Sequence, residues 1–595
     1  MRYRKWLIGV VSATTLMWIW AVVYYLVSGF PIESARPWTM FVTILEFSNE
    51  DYIMRRASLT GLGLIAAIGI TIFLYFRNRM HNPLGDAKFA GEPDIKNAGL
   101  RSSEGLLLGK YKGKYLMDNG QTHVLVSAPT GSGKGVGVVI PNLLNWNGSA
   151  VVLDIKGENY TLTSGFRQKH GQKIYVFSPF SENSHRFNPF DAINPHPRQR
   201  FNDIQNIANL ILPDNDKDPT WSQQGRALFI AFALYLLDHP TQECTIGNIL
   251  RFLQTKDDTR DVVKAILETE GNKLDSSAQR TFSNLSQQEK RMSESVKVGL
   301  VGALSLWNSP SIDAATSYTD FDIMKIRKQK TTIYVVVSLA DLATLRPLLA
   351  LFFEQVFAAQ LRSEPGEDDK YKVLFLMDEF ESLGTMDGIV DKLPFVRSFN
   401  IRIMAIIQGL SQLDQRYTAA GRDKILQGSK HQIFFASNDQ QTTNYVSETL
   451  GKKTIKTVSK SRSKQGKTIS KQSQARELML PQEVRELSPD KLILITEGTR
   501  PIKADKIRYF KDPVLSERVN WEKAKVPALD LNPKFSPTLE DIAGAHIAAK
   551  IRSANNKNKG RGGSVQQAST DTKPQNKASI DDLMKAIKDR RRTKS

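Results

Sequence analysis

Residues 128–135 read APTGSGKG, a run whose two inner glycines and lysine are spaced to hold a phosphate. Gly131 and Gly133 permit a tight turn whose backbone N–H groups converge on an anion, and Lys134 is long enough to reach β- and γ-phosphate oxygens. Apolar Val124, Leu125 and Val126 precede the run and VGVVIPNLL follows it. Strand, loop, helix is the context that a P-loop requires. Ala128, Pro129, Thr130, Gly131, Ser132, Gly133, Lys134 and Gly135 are therefore the candidate nucleotide-binding residues. Gly135 stands where a Ser or Thr hydroxyl ordinarily meets Mg²⁺, so the metal needs water or another side chain there. The competing reading is a glycine-rich strand-to-helix turn with no nucleotide.

A second constellation favours the nucleotide. Residues 373–380, VLFLMDEF, form an apolar strand ending in paired acids, the form of a Walker B segment. Asp378 is assigned to Mg²⁺, directly or through water, and Glu379 to orienting and deprotonating the attacking water. Phosphoryl transfer asks for this positioning and charge neutralisation more than for covalent help. In IRIMAIIQGLSQL, Gln408 ends the apolar strand 403–407 and is placed to sense a γ-phosphate. Arg397 and Arg402 are candidates for an arginine finger acting across a subunit interface, with surface solvation as the alternative. In SAVVLDIKGENY the same strand-to-helix logic recurs, and Asp154 and Lys156 either touch nucleotide or a neighbouring subunit, or cap and solvate a loop.

These residues need an α/β scaffold to converge, and the spacing says it is interrupted. Lys134 and Asp378 are 244 residues apart, far more than a few βα units of about 30 residues each would use. Within the gap, residues 200–325 carry helical periodicity, including a helix starting at Asp218-Pro219-Thr220 and stretches at 246–268 and 276–307. An all-α domain is thus expected to interrupt the core. The expected organisation is a membrane anchor at 1–80, a nucleotide-binding domain from 81–195 and 326–515, the all-α insertion at 196–325, and a tail at 516–595.

The anchor rests on two uncharged runs, 6–32 and 57–76, each long enough for the roughly 20 residues that cross a hydrocarbon core. Arg2, Arg4 and Lys5 precede the first, and Arg77, Arg79 and Lys88 follow the second, which puts both termini in the cytoplasm. The first run is too long for a signal-peptide h-region and has no A-x-A exit.

Composition narrows the class further. The 595 residues carry 81 Lys+Arg against 61 Asp+Glu, a net charge of +20, but 451–476 and 550–595 supply nearly all of the excess. The rest of the chain is close to neutral, which argues against a protein that coats nucleic acid uniformly and for local basic elements. The nine Lys/Arg of 451–476 alternate with Ser and Thr and have no aromatic neighbour. A long exposed hairpin or loop of that chemistry contacts phosphates rather than stacked bases, DNA or a neighbouring subunit being the functional options and a solvated charge run the plain one. The tail from about 530 is poor in apolar residues and reads as disordered, with a short helix at IDDLMKAIKDRRRTKS. Cys244 stands alone, which excludes a disulfide framework and a Cys-based metal cluster.

Taken in order behind the two spans, APTGSGKGVG, VLDIKGENY, RFNPFD, LMDEFESLGTM, IIQGLSQL and LPQEVREL resemble the coupling-protein ATPases of conjugation and type IV secretion, the TraG-like group. The resemblance covers roughly residues 1–510, and that family commonly carries glycine at the position of Gly135. It implies a RecA-like P-loop core with an all-α insertion, anchored in the bacterial inner membrane and binding ATP and Mg²⁺. It further implies a hexamer that recruits a relaxase or relaxosome accessory proteins with their DNA, or protein effectors, to the secretion channel. Two rivals remain at this stage: a docking receptor in which nucleotide sets assembly without transport, and a chromosome-segregation translocase. An ABC transporter is disfavoured because LSQQEK at 285–290 lacks the signature glycines.

Overall fold

The apolar runs that mark strands in the sequence are buried from end to end in the fold: Val124–Ser127, Val373–Met377 and Ile401–Ile407 have no exposed position. Continuous burial of this kind belongs to strands covered on both faces. The computed structural model describes residues 84–559 apart from 195, 215–218, 464–465 and 533–536, together with scattered positions before residue 84. The chain divides into two units. The first comprises Met1–Gly120, Val124–Val138 and Ile407–Arg508, and the second Gln121–His123, Val139–Ile406 and Tyr509–Ser595.

Strands β1 (Leu106–Tyr111), β2 (Lys114–Asp118) and β3 (Val124–Ser127) open the first unit. In the second, β4 (Ser149–Ile155), β5 (Lys173–Phe177), β6 (Thr331–Val337), β7 (Val373–Met377) and β8 (Ile401–Ile407) follow. The chain then returns to the first unit with β9 (His431–Phe434), β10 (Lys452–Ser463), β11 (Gly466–Glu477), β12 (Lys491–Thr496) and β13 (Ile502–Asp505).

In the second unit the order is β8-β7-β4-β6-β5 and every pairing is parallel, so all strands end at one edge. Leu342–Leu361 packs on this sheet: Phe352 stacks on Phe177 with centroids 5.2 Å apart, and Phe357 meets Phe375 edge-on at 5.6 Å. Among the described residues this is the one helix long and apolar enough to cross a membrane, and burial of eleven of its side chains makes it a core helix. Between Pro197–Ile211 and Pro310–Ala315 the described residues form helices and no strand. Thr245, Asp258 and Asp275 accept backbone N–H bonds at the starts of three of them, caps that the sequence reading did not name, while the one it placed at Asp218 lies outside the described residues.

In the first unit the order is β2-β1-β13-β12-β9-β3, antiparallel except for β3 beside β9. β10 and β11 form a separate two-stranded ribbon, the hairpin reading of the basic stretch.

One expectation is corrected. Leu539–Lys559, placed in a disordered tail, forms a helix broken at Gly544. Its Leu539, Ala543, Ala548 and Ile551 pack with Ala265 of Thr259–Glu270, a small apolar seam too sparse to stand out in a polar sequence. The terminal helix expected near 580–595 lies outside the described residues. So do most positions of the two expected membrane spans; the described positions between 15 and 26 and between 52 and 71 are helical.

Candidate nucleotide site

The loop Ala128–Gly135 and Gln408 belong to the first unit. Ala128 N–H donates to Ile407 O at 2.8 Å, which ties the loop's first residue to the end of the strand that delivers Gln408. Gly131 and Gly133 have φ of +77° and +85°, left-handed values that favour glycine. A Cβ at Gly131, Gly133 or Gly135 would meet no protein atom within 4 Å, so the space beside these three glycines is open. Ser132 N–H and Oγ–H both donate to Pro129 O, at 3.1 and 2.5 Å, which fixes the loop without a ligand. The chain then enters a π-helical turn, Gly135–Val139, before the α-helix Ile140–Asn145. Gln408 is half-buried; its N–H donates to Gln412 Oε1 at 3.2 Å, and its side-chain amide has no hydrogen bond to the described residues.

Lys506 lies against this loop, and no motif announced it. Its Nζ donates to Ser132 O at 3.1 Å and lies 3.6 Å from the Phe435 ring centroid, while Ile507 O stands 3.1 Å from where a Cβ on Gly137 would lie. Burial, reinforced by the positive charge of Arg508 and opposed by Asp490, pushes its amine down to about 8. Above that pH the loop therefore loses a positive charge. Affinity for a nucleotide should fall on the order of tenfold as pH rises through about 8, the equivalent of about 1.4 kcal/mol. Lys506→Arg, which stays charged, should flatten the profile in a binding titration. A wild-type profile already flat across that range would remove Lys506 from nucleotide binding.

A pair of acids lies in the second unit, at the edge where its parallel strands end and where open α/β sheets bind ligands. Asp378 and Glu379 follow β7, and Asp154 is the sixth residue of the neighbouring β4, one past the Leu153–Met377 pair. Glu379 has φ +59°, and its carbonyl accepts from Ser382 N–H at 2.9 Å and Ser382 Oγ–H at 2.6 Å. That strained turn starts the short helix Phe380–Leu383 and re-aims the chain at the strand tip. Asp154 is 1% exposed and accepts from Tyr160 N–H at 2.7 Å and Asn159 N–H at 3.3 Å, capping Glu158–Lys169. Burial, with a smaller push from the negative charge of Asp378 and against the backbone donors, raises its carboxyl to about 6. Capping is thus the role the geometry gives Asp154. Lys156, at φ +112°, donates its N–H to Val337 O in the adjoining turn.

This acid density suits a divalent cation, which would relieve the repulsion between Asp154 and Asp378. Among the described residues there is no cluster of three or more metal-ligating side chains. Mg²⁺ in nucleotide sites takes one or two carboxylates plus phosphates and water, so Asp378 with a bound nucleotide meets the need.

The two arginines part company. Arg402, on β8, is fully buried: its Nε donates to Thr122 O at 3.1 Å and its guanidinium lies 5.9 Å from the Trp146 ring centroid. An arginine finger needs to reach another subunit, so Arg402 is withdrawn from that role. Arg397, half-buried in Val396–Phe399, lies before the start of β8, at the sheet edge opposite Glu379. Seven residues of strand separate the edges by about 23 Å, so its own chain's Glu379 is out of reach.

Comparison with known proteins agrees with this arrangement. Residues 88–532 match the family described as Type IV secretory system Conjugative DNA transfer. The chain is 34% identical over 477 residues to protein VirD4 of Agrobacterium fabrum, covering 76% of this chain and 70% of that one. With the conjugal transfer protein TraG of Escherichia coli it shares 29% over 531 residues, 78% of this chain and 82% of that. The plasmid coupling protein TrwB, solved in complex with ADP and Mg²⁺, superposes with a TM-score of 0.52 at 16% identity over 72% of this chain and 95% of that one. At that identity the likeness shows the fold alone, an α/β RecA-like core. On the length of the family match and the identity to VirD4, the chain belongs to the type IV secretory system conjugative DNA transfer family.

Proposed function

We propose that this chain is an inner-membrane coupling ATPase that brings conjugative DNA, with a relaxase or relaxosome accessory proteins, to a type IV secretion channel. The observation that carries the reading is an open glycine cradle ending in Lys134 in a chain whose parallel sheet presents Asp378 and Glu379 at its ligand-binding edge. In this reading the loop amides and Lys134 hold the ATP phosphates, Asp378 holds Mg²⁺, Glu379 takes the proton of the attacking water, and Gln408 senses the γ-phosphate. Bound Mg²⁺ supplies charge neutralisation on the phosphates.

The finer features follow the same reading. Two spans within 1–80 anchor the chain with both termini cytoplasmic, 81–195 and 326–515 form the nucleotide domain, and 196–325 is an all-α insertion. Arg397, unable to serve its own site, acts on a neighbour's, which calls for a ring, and a hexamer is the assembly proposed.

The test is ATP turnover by the full chain in detergent, with and without single-stranded and duplex DNA at fixed salt. DNA-stimulated turnover supports a nucleic-acid motor. Turnover indifferent to DNA shifts the cargo to protein, and nucleotide binding without turnover supports a docking receptor.

A further inference from the structure

The β10–β11 ribbon sorts its charge by face. Residues paired across an antiparallel ladder share a face, and alternate pairs share the same one. The register Lys452↔Glu477, Lys456↔Ser473, Val458↔Lys471, Lys460↔Ile469 and Arg462↔Lys467 puts six of the nine basic residues on a single face. The opposite face carries two, Lys453 and Arg476, among Thr457, Ser459, Ser461, Ser470, Gln472 and Gln474. At the root both faces meet the body, Arg476 of the second pairing with Glu483 at 2.8 Å and Thr454 of the first donating its Oγ–H to Gly85 O at 3.0 Å; beyond the root Lys456 and Val458 of the first face are exposed.

The root is stitched to a particular place in the chain. Ala87 N–H donates to Lys452 O and Thr454 N–H to Gly85 O, both at 3.0 Å, and Asp86 bridges Lys453. The approach is so close that a Cβ on Gly85 would lie 2.2 Å from Lys452 O. Leu84, the next residue back, is eight positions after Phe76, the end of the second uncharged run. Eight residues reach at most about 27 Å, whereas each twelve-residue strand of the ribbon is about 40 Å long.

We propose that this ribbon is a juxtamembrane arm whose Lys452/Lys456/Lys460/Arg462/Lys467/Lys471 face binds the anionic phosphate headgroups of the bilayer in which the chain is anchored. The inference rests on the membrane-anchor reading above. Proximity is what selects the lipid source of phosphate over DNA: the ribbon is fastened within reach of a surface that is always present. Basic segments beside a span are attracted to anionic leaflets, and the attraction fades with salt.

The experiment uses the full chain in nanodiscs of phosphatidylcholine alone or with phosphatidylglycerol, each doped with headgroup-nitroxide lipid. A fluorophore is placed at Val458→Cys, Cys244 being buried and so spared. Nitroxide quenching in the anionic discs, its loss at high salt, and its loss when Lys456, Lys460, Arg462, Lys467 and Lys471 are changed to Gln are the results expected. Changing Lys453 to Gln should leave the quenching in place. Equal quenching in both disc types overturns the proposal, as does an unquenched label that duplex DNA alone shields, which assigns the face to nucleic acid. A chain that does not enter discs fails the anchor reading and takes the proposal with it. One that enters discs with its label unquenched fails the proposal alone.

Discussion

Glu379→Gln should bind ATP as tightly as the parent and lose turnover by on the order of 10²–10⁴, the usual worth of a positioned general base. The substitution keeps the shape of the side chain, and a residue of similar size should hold the φ +59° turn that Ser382 fastens through the Glu379 carbonyl. What it removes is the carboxylate proposed to take the proton of the attacking water. Lys134→Ala should fail one step earlier, losing nucleotide binding, because the glycine cradle keeps its amides and loses the charge aimed at the phosphates. Equilibrium binding of a fluorescent ATP analogue, read beside phosphate release, separates the two. Parental turnover by Glu379→Gln would move the base elsewhere. Asp154, held at about 6, is the carboxylate one strand over and becomes the next residue to test.

That a phosphate loop and an acidic strand end stand out in the sequence has a local cause. A phosphate loop and an acidic strand end each do their work within eight consecutive residues, so their chemistry is written in neighbours. Val124–Ser127 and Val373–Met377 are strands at the positions the apolar runs mark, and Gln408 follows the last residue of β8. Periodicity is local as well and marks the helix Pro219–Asp238, but the stretches read at 246–268 and 276–307 are each divided into two α-helices by breaks that carry no proline to announce them.

What sequence could not reveal is set by distant partners. Arg402 looks like any strand-edge arginine until Thr122 and Trp146, more than 250 residues away in the chain, close over it. Lys506 belongs to no motif, and only the fold lays it against Ser132. Asp154 was open between ligand contact and capping because both uses put an acid at a strand end, and its two backbone donors resolve the matter. The helix Leu539–Lys559 escaped notice because its apolar residues are few and scattered across the break at Gly544, and they form a face only against Ala265 on another element.

Arg167 carries the largest stability effect expected of a single substitution. It is 1% exposed and has no carboxylate beside it; the guanidinium instead donates to five acceptors. Nε reaches Thr332 Oγ1 at 2.7 Å, Nη1 reaches Leu143 O and Trp146 O at 2.6 and 3.0 Å, and Nη2 reaches Gly148 O and Gln172 Oε1 at 3.0 and 2.8 Å. Two of those carbonyls lie at the C-terminal end of Ile140–Asn145, where a helix leaves its acceptors unsatisfied and its dipole favours a cation. Burial pulls the guanidinium down to about 10, still well above neutrality, so the group is charged at working pH and its hydrogen bonds are charge-assisted. Arg167→Met fills much of the volume but strands the carbonyls in a dry interior, at a cost of more than about 3 kcal/mol. Arg167→Lys, with three donors in place of five, should recover only part of it. Urea unfolding of the three proteins should order them parent, Lys, Met, and equal midpoints for parent and Met would mean that this network of carbonyls does not hold the second unit together.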